Sequence, residues 1–140
     1  MQLFISKLTI IAIENGDRTW EDAVGLAFLH LQRLSGPSKR PKFHDNEQWE
    51  QQHRRFHEAL LGACGSPILL RYCGQLYDRN IRYRNLAGSA YPARDVLQEH
   101  EALMQATLDR DAEKATSFLT AHYARTGKFL MRALNMLEHT

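Results

Sequence analysis

Four of the seven histidines in this chain of 140 residues occur where a helix normally places apolar side chains. His53 and His57 are four residues apart in one segment, whereas His100 and His122 lie in two later segments. Each of them has apolar residues three or four positions away in the sequence, as in the buried stripe of an amphipathic helix. A buried imidazole requires a hydrogen bond or a metal, because an unpaired polar group in a core costs about 1–3 kcal/mol. The pattern therefore predicts that the four histidines share a partner.

The partner that these residue types favour is a transition metal. Neutral imidazole nitrogen suits zinc, nickel, copper or iron, whereas magnesium and calcium prefer oxygen ligands. A single histidine on an apolar stripe is more often a hydrogen-bonded core residue, but four such positions favour a common site. We predict that a divalent transition metal, zinc first and nickel as the alternative, is bound by His53, His57, His100 and His122. The other histidines are predicted to face solvent, namely His30, His44 and His139.

A second group of side chains could bind an anion. Arg79, Arg82 and Tyr83 are spaced so that they share one arc at the edge of an apolar helix face. One interpretation is a solvated basic edge, which is the usual role of any single arginine at such a position. The other is a site for a carboxylate that is held by the metal at one end and by guanidinium at the other. We predict a small carboxylate ligand bound by Arg79, Arg82 and Tyr83.

Six segments with helical periodicity position these residues, and no hairpin signal separates them. The predicted helices cover about residues 1–15, 19–35, 45–62, 66–86, 92–108 and 111–137, and the second begins with a capping box at Thr19. The inward face of the fourth helix is predicted to carry Ile68, Leu69, Tyr72, Cys73, Leu76 and Tyr83. The sequence therefore predicts one domain over residues 1–140, an all-α antiparallel bundle of about six helices with the metal site in its interior.

Composition excludes several classes of protein. The chain is 44% apolar and 24% charged, which is ordinary for a globular domain and unlike a disordered or fibrous chain. Its net charge of +2 comes from interspersed basic and acidic residues and does not indicate a nucleic-acid surface. Cys64 and Cys73 form no CxxC motif, which fits buried thiols in a reducing cytoplasm. The apolar stretch before Ile13 is too short to span a bilayer, so we expect a cytoplasmic protein without a membrane partner.

Two long stretches resemble a known family. They read FHEALLGACGSPILLRYCGQLYDRNIRYRNLA and, further on, LQEHEALMQATLDRDAEKATSFLTAHYART. Both are similar to the FCD domain, the C-terminal effector-binding domain of the FadR subfamily of GntR transcription regulators. The resemblance implies a helical bundle in which an acidic residue and three histidines hold a metal, with a small carboxylate effector against it. The family histidines correspond to His57, His100 and His122. A dicarboxylate effector and a homodimer are the further expectations.

The chain departs from the family pattern in two places. His53 stands where the family has an aspartate, which raises the charge of the site by one and favours nitrogen-preferring metals over manganese. The winged helix-turn-helix domain that binds DNA in the family has no counterpart before Leu3, so we expect DNA binding only through such a domain. The resemblance therefore implies a ligand-sensing domain of a transcription regulator.

The alternative is a small histidine-rich metalloenzyme, such as a hydrolase or an oxygenase. Such an enzyme needs a general base beside the metal ligands. Glu58 and Glu99 each adjoin a histidine in sequence, but neighbouring side chains on a helix point about 100° apart. Both glutamates are therefore predicted to point away from the site. The sequence favours ligand sensing over catalysis, and we predict no catalytic residue.

Overall fold

Helices are the regular elements in the part of the chain that the structure describes. The computed structural model describes residues 2–34, 47–87 and 97–138. Its helices are α1 (Gln2–Asn15), α2 (Arg18–Leu34), α3 (Glu47–Leu61), α4 (Pro67–Ala87), α5 (Leu97–Leu108) and α6 (Ala112–Glu138). The predicted all-α bundle is confirmed, and the boundaries agree to within two residues where both can be compared. The predicted start of the fifth helix near Pro92 and the predicted cap at Asp45 lie outside the described residues. None of the described helices has the length and apolar character needed to cross a membrane.

The start of α2 differs from the prediction. Asp17 caps the helix, since its Oδ1 accepts a hydrogen bond of 2.9 Å from the backbone nitrogen of Trp20. The predicted cap at Thr19 is wrong, because α2 begins at Arg18 and places Thr19 in the first turn. Aspartate is among the strongest N-caps, and Asp17 comes two residues after the end of α1. No side chain fits at the intervening Gly16, where an added Cβ would lie 2.1 Å from the Trp20 ring. Any other residue at this position would displace the Trp20 ring.

Arg110 fastens the turn between α5 and α6 to the turn between α1 and α2. Its guanidinium donates hydrogen bonds of 2.6 Å to the backbone oxygens of Ile13 and Gly16. It also contacts Glu21 Oε1 at 2.9 Å and lies 5.5 Å from the centre of the Trp20 ring. The backbone of Arg110 has a φ of 58°, in the left-handed region that side chains other than glycine rarely adopt. The bonds to α1 and α2 offset that strain and set the position of α6.

The centre of the core is α3, which packs against α1, α2 and α4. The inward stripe predicted for this helix is confirmed, and its buried residues include Trp49, His53, Phe56, His57 and Leu60. Trp49 and Phe56 are completely buried. His100 on α5 and His122 on α6 are buried as well, and their rings face the histidines of α3. Three helices thus contribute histidines to one interior region.

The inward face of α4 was predicted about a quarter-turn from its actual position. Ile68, Tyr72 and Tyr83 are 76%, 49% and 45% exposed, so the prediction that they face the core is wrong. Leu69 and Cys73 pack against the core as predicted, and Leu70 joins them. Counting tyrosines as apolar shifts the apparent stripe, whereas a tyrosine can leave its hydroxyl group in water. The Tyr72 ring instead meets Phe4 of α1 edge to face, with 5.6 Å between ring centroids.

Candidate metal centre

Three imidazole nitrogens meet at the centre of the bundle. His53 Nε2 lies 3.0 Å from His100 Nε2 and 3.1 Å from His57 Nε2, and the remaining pair is 3.3 Å apart. The His122 ring lies beside them, 4.7 Å from the His100 ring between centroids. All four side chains are buried, and each offers a ligand atom within 4.8 Å of the others. The structure therefore brings together the four histidines that the sequence singled out.

Hydrogen bonds among the histidines alone cannot satisfy this triangle of nitrogens. In a neutral imidazole each Nε2 carries either a proton or a lone pair. Among three such atoms at least two are of the same kind, so at least one of the three close pairs opposes two protons or two lone pairs. A cation at the centre removes that conflict, because all three lone pairs can then point at it. The arrangement fits a metal better than it fits a core of hydrogen-bonded histidines.

The nitrogen separations also fit the size of a transition-metal ion. Imidazole nitrogens bind zinc at about 2.0–2.1 Å, so two ligands at angles of about 90–110° around the ion are about 2.8–3.4 Å apart. The three separations of 3.0, 3.1 and 3.3 Å lie within that range. His53, His57 and His100 can therefore occupy adjacent positions around one ion, with His122 as a further donor.

The outward nitrogen of His122 faces a carboxylate. Glu99 Oε1 lies 3.2 Å from His122 Nδ1 and forms an ion pair with Arg125 Nη1 at 3.0 Å. Since a carboxylate only accepts hydrogen bonds, Nδ1 carries the proton and Nε2 keeps its lone pair for a metal. The prediction that Glu99 points away from the site is therefore wrong. Glu99 on α5 points toward α6. Since 23 residues separate it from His122, no local sequence pattern indicates this contact.

His53 is oriented by a tyrosine that sequence reasoning missed. The hydroxyl group of Tyr77 makes a short contact with His53 Nδ1 and donates to Glu50 Oε2 at 3.3 Å. Because the hydroxyl proton is used for Glu50, the oxygen accepts from His53 Nδ1–H, and His53 Nε2 is left with a lone pair. The Trp49 ring stacks on His53, with 4.5 Å between centroids. Glu50 lies three residues before His53, so this half of the arrangement could have been read from helical spacing.

Tyr123 takes the corresponding position for His57. Its hydroxyl group lies 3.5 Å from His57 Nδ1, and the two rings are 6.0 Å apart between centroids. Polar partners on the outward nitrogens of ligating histidines hold the ring orientation and raise the basicity of the ligand. Three of the four histidines thus carry the outer partners that are typical of metal sites.

The FCD domain family matches the chain over residues 9–125. The chain belongs to this family. It is 42% identical over 112 residues to "Uncharacterized HTH-type transcriptional regulator BphR" of Paraburkholderia xenovorans (strain LB400), covering 79% of this chain and 46% of that protein. It is 32% identical over 121 residues to "HTH-type transcriptional repressor GlaR" of Escherichia coli (strain K12), covering 82% of this chain and 54% of that protein. The chain thus spans about half the length of these relatives. No solved structure matches it.

Membership of the FCD family confirms the resemblance drawn from the two motifs. The relatives are named as HTH-type transcriptional regulators, which favours the predicted ligand-sensing domain over the predicted metalloenzyme. A carboxylate does lie beside the histidines, because Glu99 contacts His122. The absence of a nearby carboxylate therefore cannot be used to exclude a metalloenzyme. The preference for a sensing domain over a metalloenzyme rests on the family match.

Among the described residues, a cavity and a cleft border the histidine cluster on different sides. The first has a volume of about 30 Å³ and lies beside His57, with Arg54, Tyr77, Asn80 and Tyr123 among its lining residues. The second is a cleft of about 390 Å³ between α5 and α6, lined on its polar side by Gln98, Glu99, His122 and Arg125. Each cavity therefore reaches one of the four histidines.

Neither cavity is lined by the residues that were predicted to bind the carboxylate. Arg79, Arg82 and Tyr83 are all exposed on α4, and the structure does not bring them to the histidines. The quarter-turn difference in α4 is the physical reason, since it directs Tyr77 and Asn80 to the cavity and these three residues to solvent. Arg54 of α3 is the arginine beside His57. A hydrogen bond to Glu58 raises the pKa of Arg54 above its ordinary value, and the guanidinium stays charged.

Proposed function

We propose that this FCD domain is the ligand-sensing part of a GntR-family transcription regulator and that it recognises a small carboxylate at a histidine-bound metal. The observation that carries this proposal is the triangle of His53, His57 and His100 nitrogens at 3.0–3.3 Å. Such a triangle is costly in a core unless a cation occupies it, and a buried cation attracts an anionic ligand.

The metal would be held by His53, His57, His100 and His122. Nitrogen donors alone favour zinc, with nickel as the alternative, over the oxygen-preferring ions. The bound ion would supply positive charge in a water-poor interior. The protein would contribute the orientation of each ring, through Tyr77 for His53, Tyr123 for His57 and Glu99 for His122.

The small cavity beside His57 is the proposed entry of the ligand into the site. Its volume of about 30 Å³ is small for a dicarboxylate, so entry of the ligand would require the lining side chains to move. That requirement suits a sensor, because a ligand changes a conformational equilibrium only by binding one state better than the other. Ile5 of α1, Tyr77 of α4 and Tyr123 of α6 all line the cavity. Movement there would reach three helices.

The regulator as a whole would couple this binding to DNA. In the proposal the ligand changes the affinity of a helix-turn-helix domain for its operator, and the operator changes the affinity for the ligand by the same factor. We also propose that the protein acts as a homodimer, as is common for regulators that read paired half-sites, and that it works in the cytoplasm.

Metal content and ligand stabilisation test the proposal together. Protein purified without a nickel column is analysed for bound metals, and its melting temperature is measured with acetate, succinate and glutarate before and after chelation. We expect stoichiometric zinc or nickel and a carboxylate shift that requires the metal. A protein without stoichiometric transition metal, whose melting temperature no carboxylate changes after zinc is added, contradicts the proposal. The variant with His57, His100 and His122 all changed to alanine is the control.

A further inference from the structure

Arg54 brings a fixed positive charge to the cavity beside His57. It is the one arginine or lysine among the described residues that line this cavity. Its guanidinium lies across α4 at Gly74, where an added Cβ would be 3.0 Å from Arg54 Nη2. A glycine inside a helix is less favourable than alanine. At Gly74 the missing side chain leaves the space that the guanidinium occupies.

Two carboxylates of the protein already hold Arg54. Glu58, one turn along α3, accepts a hydrogen bond of 2.8 Å from Arg54 Nε. Asp78 of α4 accepts from Nη1 in a short contact. Nη2 has no hydrogen-bond partner within the described residues and lies against Gly74, which itself lines the cavity. Of the two terminal nitrogens of the guanidinium, Nη1 is therefore hydrogen-bonded to a carboxylate of the neighbouring helix, whereas Nη2 is not.

A ligand carboxylate that binds this fork must compete with Asp78. Two parallel bonds from Nη1 and Nη2 are the strong geometry for an arginine–carboxylate pair, and Nη1 is the atom that Asp78 occupies. Glu58 can remain, because it uses Nε on the other side. Both Asp78 and Glu58 are about half exposed, so water can take over the displaced carboxylate at modest cost.

We propose that Arg54 is the carboxylate-recognising residue of the sensing cavity and that the ligand binds it by displacing Asp78. The inference rests on the proposed function. It adds Arg54 as the binding residue and Asp78 as the competing carboxylate. The Arg54–Asp78 pair links α3 to α4, so a bound ligand removes one attachment of α4. Arg54 and His57 both line the cavity, and a metal held by His57 together with this guanidinium would favour a small dicarboxylate over a monocarboxylate.

A double-mutant cycle in zinc-loaded protein tests the competition. Calorimetric affinities for acetate, succinate and glutarate are measured for the wild type, Arg54→Met, Asp78→Asn and the double variant. We expect Arg54→Met to weaken dicarboxylate binding by roughly tenfold or more and Asp78→Asn to strengthen it by a few-fold. In the double variant the gain from Asp78→Asn should disappear. Arg55→Met, an exposed neighbour on α3 that does not line the cavity, is the matched control.

Two failures can be told apart. If neither the wild type nor Asp78→Asn binds any of the three probes, the inference and the proposed function both fail. If the wild type binds but Arg54→Met binds equally well, or if Asp78→Asn still strengthens binding in the Arg54→Met background, the inference alone is overturned. Asp78→Asn changes a half-exposed side chain and should fold normally. If Arg54→Met folds poorly, the affinity of Asp78→Asn relative to the wild type still tests the proposed competition. Hydrogen exchange of α4 amides should also increase when the wild type binds a dicarboxylate, and an unchanged rate contradicts the proposed loss of attachment.

Discussion

His53 Nε2 and His100 Nε2 lie 3.0 Å apart where the interior face of α3 meets α5. His57 Nε2 lies within 3.3 Å of both, so hydrogen bonds can satisfy no more than two of these three pairs. A helical bundle could bury leucines here at no such cost. The conflict supports the proposed metal site, because a bound ion would relieve it.

Chelation of the metal should therefore destabilise the wild type. An ion present at about 100 times its dissociation constant stabilises a folded protein by about 2.7 kcal/mol, and removing it removes that contribution. We expect the melting temperature to fall with a strong chelator and to recover with zinc but not with magnesium. In His100→Ala the chelator should have little effect. His30→Ala, a partly exposed histidine on α2, should respond like the wild type. Equal responses of His100→Ala and the wild type would contradict the site.

Tyr77→Phe should weaken metal binding without unfolding the domain. The change removes the acceptor that holds His53 Nδ1–H and the donor to Glu50. Loss of such an outer partner typically lowers metal affinity by about 10- to 100-fold. Competition with a zinc-binding dye measures the change. Tyr72→Phe on the same helix is the control, because Tyr72 is 49% exposed and its side chain meets Phe4 of α1. Equal zinc affinities of the two variants would show that Tyr77 does not orient His53.

Trp49 should report metal binding by fluorescence. Its ring stacks on His53 at 4.5 Å and is completely buried, so nickel or copper held by His53 lies close enough to quench it. We expect stoichiometric quenching that persists in Trp20→Phe and disappears in Trp49→Phe. Trp20 makes its hydrogen bond to Ala59 at the other end of α3. Quenching that survives in Trp49→Phe would mean that the ion binds elsewhere.

The parts of the site that follow helical spacing could be predicted from the sequence. His53 and His57 share a stripe with Trp49, Phe56 and Leu60, and all five are buried. Tertiary contacts such as Glu99 with His122 have no local signal, and neighbouring positions on a helix suggested the opposite orientation. The helices could be predicted because their caps and breaks are local. Their partners at the site could not.

The face of α4 shows why periodicity alone is insufficient for a helix rich in tyrosine and arginine. Tyr72 and Tyr83 lie on nearly the same side of the helix, Tyr77 lies on another side, and each has an apolar ring with a polar tip. Only Tyr77 is aimed at the interior, where the Nδ1 of His53 offers a partner for its hydroxyl group. The choice among the three depends on where α3 places His53, which the sequence of α4 does not contain.

The backbone conformation of Arg110 predicts a specific order of stabilities. Arg110→Ala removes the bonds to Ile13 and Gly16 and retains the left-handed strain, whereas Arg110→Gly removes the same bonds and relieves the strain. Both variants should be less stable than the wild type, but the glycine variant should exceed the alanine variant by about 1 kcal/mol. Urea unfolding measures the difference. Arg79→Ala, an exposed change on α4, should stay within about 0.5 kcal/mol of the wild type. The reverse order of the two Arg110 variants would contradict the account of this turn.

Cys73 allows occupancy of the small cavity to be followed chemically. Burial raises the pKa of the Cys73 thiol, and the neighbouring Cys64 raises it further, so less thiolate is present at neutral pH than in an ordinary cysteine. Alkylation by iodoacetamide should therefore be slower near pH 8 than for a free thiol. The alkylation rate of Cys73 should also level off at a higher pH than that of a free thiol. Cys73 lines the cavity beside His57, so a bound carboxylate should slow the reaction further. Mass spectrometry of the Cys73 peptide measures both effects, with Cys73→Ser as the control for labelling at Cys64. A ligand that stabilises the protein but leaves the Cys73 rate unchanged would place its binding site outside this cavity.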